Sequence, residues 1–282
     1  MRERERRRTP VVFPENFEVT DTRLERITPG SAEPTRELAP GVSLLEFASS
    51  RLGAVGFSTG IARFERAAGL TVHFHECGKS ITVLAGNCEI AVEGRVFDLC
   101  PFDSIHVPAG VAHALRNLSD SSVMLAHMAF SSSAVNYIPA DDTPTKTASR
   151  RAAEAVALRR FSDAEEYELS SKAWFKDLFA KRLGAQGICG GYGRFAPGAS
   201  LPCHMHLFDE SITIVEGTAS CLVAGRRYTL SGCDTALVPQ GLPHRFLNES
   251  DCEMGMVWVY AGDEPERMIV ESFRCSGGDS AS

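Results

Sequence analysis

The stretch Gly198-Ala-Ser-Leu-Pro-Cys-His204-Met-His206-Leu-Phe-Asp-Glu210-Ser-Ile-Thr-Ile-Val-Glu-Gly217 decides how this chain is read. Alternate side chains of an extended strand share a face, so His204 and His206 project into one space while Met205 and Cys203 point away. Glu210 follows four residues on, past a Leu207-Phe-Asp209 segment able to turn the chain onto a neighbouring strand. Further along, Pro239-Gln-Gly-Leu-Pro243 is a turn that can return His244 to the same place. Three imidazoles and one carboxylate form a borderline N3O donor set suited to Fe, Mn, Co, Ni, Cu or Zn, whereas Mg and Ca prefer oxygen. In an octahedral shell this set leaves two positions open.

Working outward, the same text occurs twice. At an offset of 131 residues, Arg51-Leu-Gly-Ala54 returns as Arg182-Leu-Gly-Ala185, His73-x-His75 as His204-x-His206, and Ser80-Ile-Thr82 as Ser211-Ile-Thr213. Pro108-x-Gly110-x-x-His113-x-x-x-Asn117 likewise returns as Pro239-x-Gly241-x-x-His244-x-x-x-Asn248. A fixed internal period marks a duplicated structural unit. Of the 8 histidines, only His106 and His127 fall outside the matched set of 73, 75, 113 and 204, 206, 244. A lone histidine is usually a surface or core residue, but this concentration points to a ligand or to catalysis.

Inside each unit, short runs rich in Val, Ile and Thr are broken by Gly, Pro, Asn and Asp at intervals near ten residues. That pattern predicts an all-β fold of two tandem jelly-roll barrels, which hide their strand edges by closure or two-sheet packing. The expected organisation is an N-terminal arm (1–42), a first barrel (43–130), a linker (131–173), a second barrel (174–262) and a C-terminal tail (263–282). Arg151-Ala-Ala-Glu-Ala-Val-Ala-Leu-Arg-Arg160 is rich in strong helix formers and predicts a short helix in the linker, after a turn at Asp141-Asp-Thr-Pro144.

Both halves resemble the cupin motif pair, so the whole chain resembles a bicupin built of double-stranded β-helix barrels. The first cupin motif, G-x5-H-x-H-x3-E-x6-G, is complete in the second half as Gly198, His204, His206, Glu210 and Gly217. The second ends P-x-G-x2-H-x3-N and is met by Pro239, Gly241, His244 and Asn248, with Gly232 one place early for its leading glycine. The resemblance implies metal ligation by His204, His206, Glu210 and His244, one divalent transition ion with Fe or Mn favoured, and a proton-shuttling role for Glu210. The first half departs from the motif: it keeps His73, His75 and His113, but Lys79 stands where Glu210 does and Ala67 where Gly198 does. An ammonium repels each unit of cationic charge by about 4 kcal/mol at ~4 Å and an effective dielectric of ~20. Site one is therefore expected to bind metal weakly or not at all unless Lys79 turns outward, and Glu76, on the opposite face from His75, cannot replace the missing carboxylate.

Bicupins include quercetinase-like and gentisate-type dioxygenases, oxalate decarboxylases, isomerases and hydrolases. The resemblance implies a metal-dependent enzyme acting on a small oxygenated organic molecule. A dioxygenase of the quercetinase or gentisate type comes first, a non-redox isomerase, lyase or hydrolase second, and a small-molecule sensor third. Tyr192, Phe246, Trp258 and Tyr260 are candidates to line the pocket or the core. His127 falls opposite Trp258 in the offset and reads as a buried, hydrogen-bonded residue; His106 reads as structural, and Arg63 and Arg194 as ion-paired rim residues.

Composition narrows the alternatives. A formal charge of -7, from 36 acidic and 29 basic side chains, provides no basic surplus for a phosphate backbone, so nucleic acid is not an expected partner. No run approaches the ~18 apolar residues of a membrane span, and the Arg- and Glu-rich stretch at residues 2–8 has no apolar segment behind it, which predicts a solvated terminus and a cytoplasmic protein. Nine scattered cysteines without a C-x-x-C pair predict reduced thiols. A homodimer is compatible with exposed barrel faces.

Overall fold

The computed structural model describes residues 21–140, 155–271 and 273–276. Residues 2–8, Asp141–Pro144 and the first part of the linker helix expected at 151–160 lie outside them. The strands form four antiparallel sheets, two of seven strands and two of five. Each barrel pairs one of each. In the second barrel the seven-stranded sheet runs Arg26–Thr28, Thr235–Val238, Glu210–Glu216, Met254–Tyr260, Cys189–Phe195, Ala173–Phe179, Glu166–Ser170. The facing sheet runs Arg226–Ser231, Thr218–Val223, His244–Leu247, His204–Met205, Met268–Ile269.

Period-2 patterning decides what each strand buries. Met254, Met256 and Trp258 enter the second barrel's core with Phe195, Ile212, Ile214 and Phe246. Met124, Ala126, Met128 and Phe130 enter the first with Phe64, Ile81, Val83 and Ile90. Ala129, Val259 and Tyr192, which intervene on the same strands, face the other barrel and form a third cluster between the two with Leu237, Phe57 and Phe179.

Two segments read as arm and linker are strands, and each seats on the opposite barrel. Arg26–Thr28 pairs with Thr235–Val238 of the second barrel, while Ala157–Arg159 pairs with Ser104–Val107 of the first. They stand 131 residues apart, so the repeat includes them. Matched aspartates secure the exchange: Gly30 N–H donates to Asp234 Oδ1 at 2.9 Å and Phe161 N–H to Asp103 Oδ1 at 2.9 Å. The expected helix over 151–160 is therefore replaced by a strand in its described part. In the described part, residues 155–160, helix propensity is overridden by the open edge of a sheet that lacks a partner until Ala157–Arg159 fills it.

The repeat also runs beyond its expected ends, through Ile138–Pro139 and Met268–Ile269, which pair with the strands carrying His73 and His204. Over this last part the offset is 130. The turn after Asn117 holds one residue more than the turn after Asn248: Asn117 Nδ2 donates to Ser122 O, and Asn248 Nδ2 to Cys252 O. His127 consequently stands opposite Ile61, as Val257 stands opposite Tyr192, and its counterpart is Val257 rather than Trp258. It lies on the face turned to the other barrel, buried, with no hydrogen-bond partner for Nε2, and burial lowers its pKa to about 4.

The thiol expectation also fails at one pair. Cys203 and Cys275 form a disulfide that fixes the Phe273–Ser276 helical turn to the strand entering the His204 site. The spacing of 72 residues carries no sequence signature; only the fold brings the two together. The other seven cysteines are free. No described helix is long and apolar enough to cross a membrane.

Candidate metal centre

Four donor groups converge in the second barrel. His204 and His206 lie on the chain that enters the barrel, His244 on the strand paired with it opposite His204, and Glu210 at the head of the adjacent sheet. Their ligating atoms all lie within 4.8 Å of one another and all four residues are buried. Each imidazole is held from behind by its Nδ1–H: His204 donates to Pro202 O at 2.8 Å, His206 to Glu266 O at 2.5 Å, and His244 to Leu242 O at 2.8 Å. That tautomer leaves every Nε2 as a lone pair facing the common centre.

The lone pairs then meet a carboxylate. Glu210 Oε2 lies 2.7 Å from His244 Nε2 and 3.1 Å from His206 Nε2. Acceptors gathered this closely require a proton or a cation among them. Burial raises the Glu210 carboxyl, but the imidazoles hold it below its usual range, and burial lowers His204 and His206. An acidic carboxylate beside unprotonated rings is the state in which such residues ligate metal. The donor set thus fits a divalent transition ion.

The first barrel has the same scaffold with a different charge. His73, His75 and His113 are buried with ligating atoms within 4.8 Å, and their Nδ1–H groups donate to Thr71 O, Asn136 O and Val111 O at 2.7, 2.7 and 3.0 Å. Lys79 does not turn outward. It is 2% exposed, and its Nζ donates to His113 Nε2 at 3.3 Å. Burial lowers its pKa to about 7, and burial together with Lys79 lowers those of His73 and His75 to about 2 and 3. Glu76 is exposed. At the lost glycine, Ala67 takes φ 55°, a left-handed conformation costly for a residue with a Cβ; Gly198 adopts φ 77° freely.

A narrow cavity of about 20 Å³ adjoins the second site, room for one or two waters. Phe246, Trp258 and Tyr260 line it with His204 and Glu210. Tyr192 does not: it packs between the barrels against Phe102 and Phe161, its hydroxyl donating to Glu216 at 2.7 Å. Phe208 stacks on His206 at 5.3 Å. Arg194 pairs with Glu253 and Glu166 at the rim, Arg63 with Glu65, and His106 shares a 2.8 Å hydrogen bond with Ser80.

Three participants escaped sequence reasoning. Tyr167 and Arg267 line the cavity from segments taken as linker and tail. Asp209, beside Glu210, receives Arg23 at 2.7 Å and the backbone N–H groups of Val55 and Gln240, so one carboxylate ties the N-terminal segment and a first-barrel loop to the second site. No sequence signal marks Arg267, because residues 131–139 and 261–269 are identical at no position at the offset of 130 that the paired strands establish.

Comparison with known proteins agrees with this architecture. The cupin domain family matches residues 60–129 and 191–260. Similar solved structures include the oxalate decarboxylase of Lactobacillus farciminis in its formate complex, at 15% identity over 91% of both chains and TM-score 0.69. The oxalate decarboxylase of Bacillus subtilis, studied for its Mn(II) centres, is 15% identical over 91% of this chain and 82% of its own, with TM-score 0.68. AerE of Microcystis aeruginosa is 15% identical over 85% and 97%, with TM-score 0.61. No curated protein matches the sequence. The chain is a bicupin, with two cupin domains in one polypeptide.

Proposed function

We propose that this bicupin is a metal-dependent enzyme with one working centre, in the second barrel, that acts on a small oxygenated organic molecule. The observation carrying this reading is the convergence of His204, His206, His244 and Glu210, with every imidazole locked from behind and its lone pair turned inward. A bound divalent ion would supply Lewis acidity or electron transfer at its open positions. Glu210, within hydrogen-bonding distance of two imidazoles, is the residue placed to hold a proton during turnover. The aromatic wall of Phe246, Trp258 and Tyr260 leaves room beside the site for only one or two waters.

Cavity size bears on the substrate. With room for one or two waters the cavity would have to widen even for a small acid and far more for a flavonol, so within the dioxygenase reading we favour a small enol or keto acid. Non-redox cleavage of a small acid is the second reading, supported by the same cavity and by the similarity to oxalate decarboxylases. Mn is the first metal to test, since the Bacillus subtilis protein has Mn(II) centres, and Fe the next. The site asks for no macromolecular partner. Purified protein loaded with Mn(II) or Fe(II) is assayed for metal content, then for oxygen uptake and for carbon dioxide release with a panel of small keto acids and dicarboxylates. Metal with oxygen uptake supports the dioxygenase, metal with gas release alone the non-redox reading, and a chain that retains no metal sinks both.

A further inference from the structure

The cavity beside Glu210 contains a cation without a counter-ion. Arg267 lines it, has no hydrogen bond or ion pair to any described residue, and buries an unpartnered Nε. Trp258 lines the same cavity with a buried Nε1–H that also lacks an acceptor. Both unsatisfied buried side-chain groups of this lining are therefore donors. Glu210 does not serve them, because its ion-pair contacts are with His206 and His244. A buried donor left unmatched costs on the order of 1–3 kcal/mol, and more when charged, so a site built this way favours a ligand that brings acceptors.

The placement of Arg267 is fixed by the metal-ligating strand. The preceding carbonyl, Glu266 O, accepts the His206 Nδ1–H at 2.5 Å, and the next residue, Met268, pairs with Met205. The backbone of residue 267 thus has a set relation to the centre, and the side chain reaches the cavity that Glu210 and His204 also line. In the first barrel the corresponding residue is Tyr137, which stacks on His73 at 4.2 Å and donates its hydroxyl to Thr71 O at 3.3 Å. The barrel whose fourth donor is a lysine carries a neutral, satisfied ring at this position; the barrel with the complete donor set carries an unsatisfied cation. Next to a divalent ion an unpaired guanidinium is repelled, and an anion lying between the two removes the repulsion.

We infer that Arg267 is the specificity-determining residue of the second barrel and that its ligand is the carboxylate of a small organic acid, with the Trp258 Nε1–H as an accessory donor. This rests on the metal-enzyme reading above and names its substrate class. Arginine suits the role because its planar fork accepts a carboxylate through two parallel hydrogen bonds.

The test is calorimetric titration of oxalate, formate and the uncharged analogue oxamide into wild type, Arg267→Met and Arg267→Lys, each Mn(II)-loaded and metal-free, with metal content and melting temperature recorded for every sample. Expected is a roughly 10- to 100-fold loss of oxalate or formate affinity in Arg267→Met, partial recovery in Arg267→Lys, and no difference for oxamide. Metal content stays at the wild-type value, which a merely structural role for Arg267 would not explain alongside charge-selective loss. Equal carboxylate affinity in wild type and Arg267→Met, or no carboxylate binding by wild type in either form, overturns the inference. A wild type that retains no metal defeats the metal-enzyme reading separately, and the metal-free titrations then decide the role of Arg267.

Discussion

Replacing Lys79 by glutamate should give the first barrel a metal site. Lys79 and Glu210 occupy the same register: Lys79 stands between Val107 and Phe130, and Glu210 between Val238 and Tyr260. A carboxylate introduced by Lys79→Glu therefore projects where Glu210 projects. Lys79 Nζ lies 3.3 Å from His113 Nε2, so an ion bound at the usual ~2.1 Å from that nitrogen would sit within a few ångströms of the ammonium. At ~4 Å and an effective dielectric of ~20, a charged ammonium would repel a divalent ion by about 8 kcal/mol. Burial lowers the Lys79 pKa to about 7, so the amine sheds its proton instead, and the penalty is about 1.4 kcal/mol for each pH unit below that value, on top of the missing fourth carboxylate donor. The substitution removes that penalty and supplies the missing donor. After Mn(II) loading and exhaustive dialysis, mass spectrometry should count one ion per chain in wild type and two in Lys79→Glu. Glu210→Lys should hold none, and the double exchange one. Two ions in wild type, or one in a folded Lys79→Glu variant, would refute the electrostatic account of the asymmetry.

Other outcomes follow from the same geometry. His204→Ala should abolish metal retention while His73→Ala leaves it unchanged, as read by metal content. Lys79 is folded with a pKa lowered from 10.5 to about 7, so between those values the unfolded chain binds the extra proton and wild-type stability should rise with pH, by at most ~5 kcal/mol. Subtracting the denaturation profile of Lys79→Met, which cancels the cysteines and tyrosines, should isolate that slope; parallel profiles would contradict the burial of the amine. Cys275→Ser should lower oxidised-state stability by up to about 4 kcal/mol, from a bridge spanning 72 residues, with no difference from wild type in reducing buffer.

The motif-bearing residues were legible because their chemistry is local: the His-x-His pair shares a strand face by period 2, and Glu210 and His244 follow at fixed spacings within each repeat. The charge defect at Lys79 was legible for the same reason. What escaped depends on partners distant in sequence. Arg26–Thr28 and Ala157–Arg159 have no strong strand signal and become strands because an open sheet edge on the opposite barrel receives them. One added residue in the turn after Asn117 changes the offset of every later position from 131 to 130, so a constant offset of 131 sets His127 against the core residue Trp258 and hides the equivalence of Tyr137 and Arg267. Cys203 and Cys275 are paired by the path of the tail over the barrel, which spacing alone does not encode.

The crossed edge strands impose an order on biosynthesis. The segment around Arg26–Thr28 leaves the ribosome first, yet the edge it completes, Thr235–Val238, is made some two hundred residues later. The nascent first barrel likewise lacks its own border strand until Ala157–Arg159, which lies beyond its last strand Ile138–Pro139, has been made. Neither half is a self-sufficient module, and cutting the chain between the repeats would leave each fragment carrying its neighbour's missing rib. Removing the first thirty residues would accordingly injure the distant, metal-competent barrel more than the one they precede.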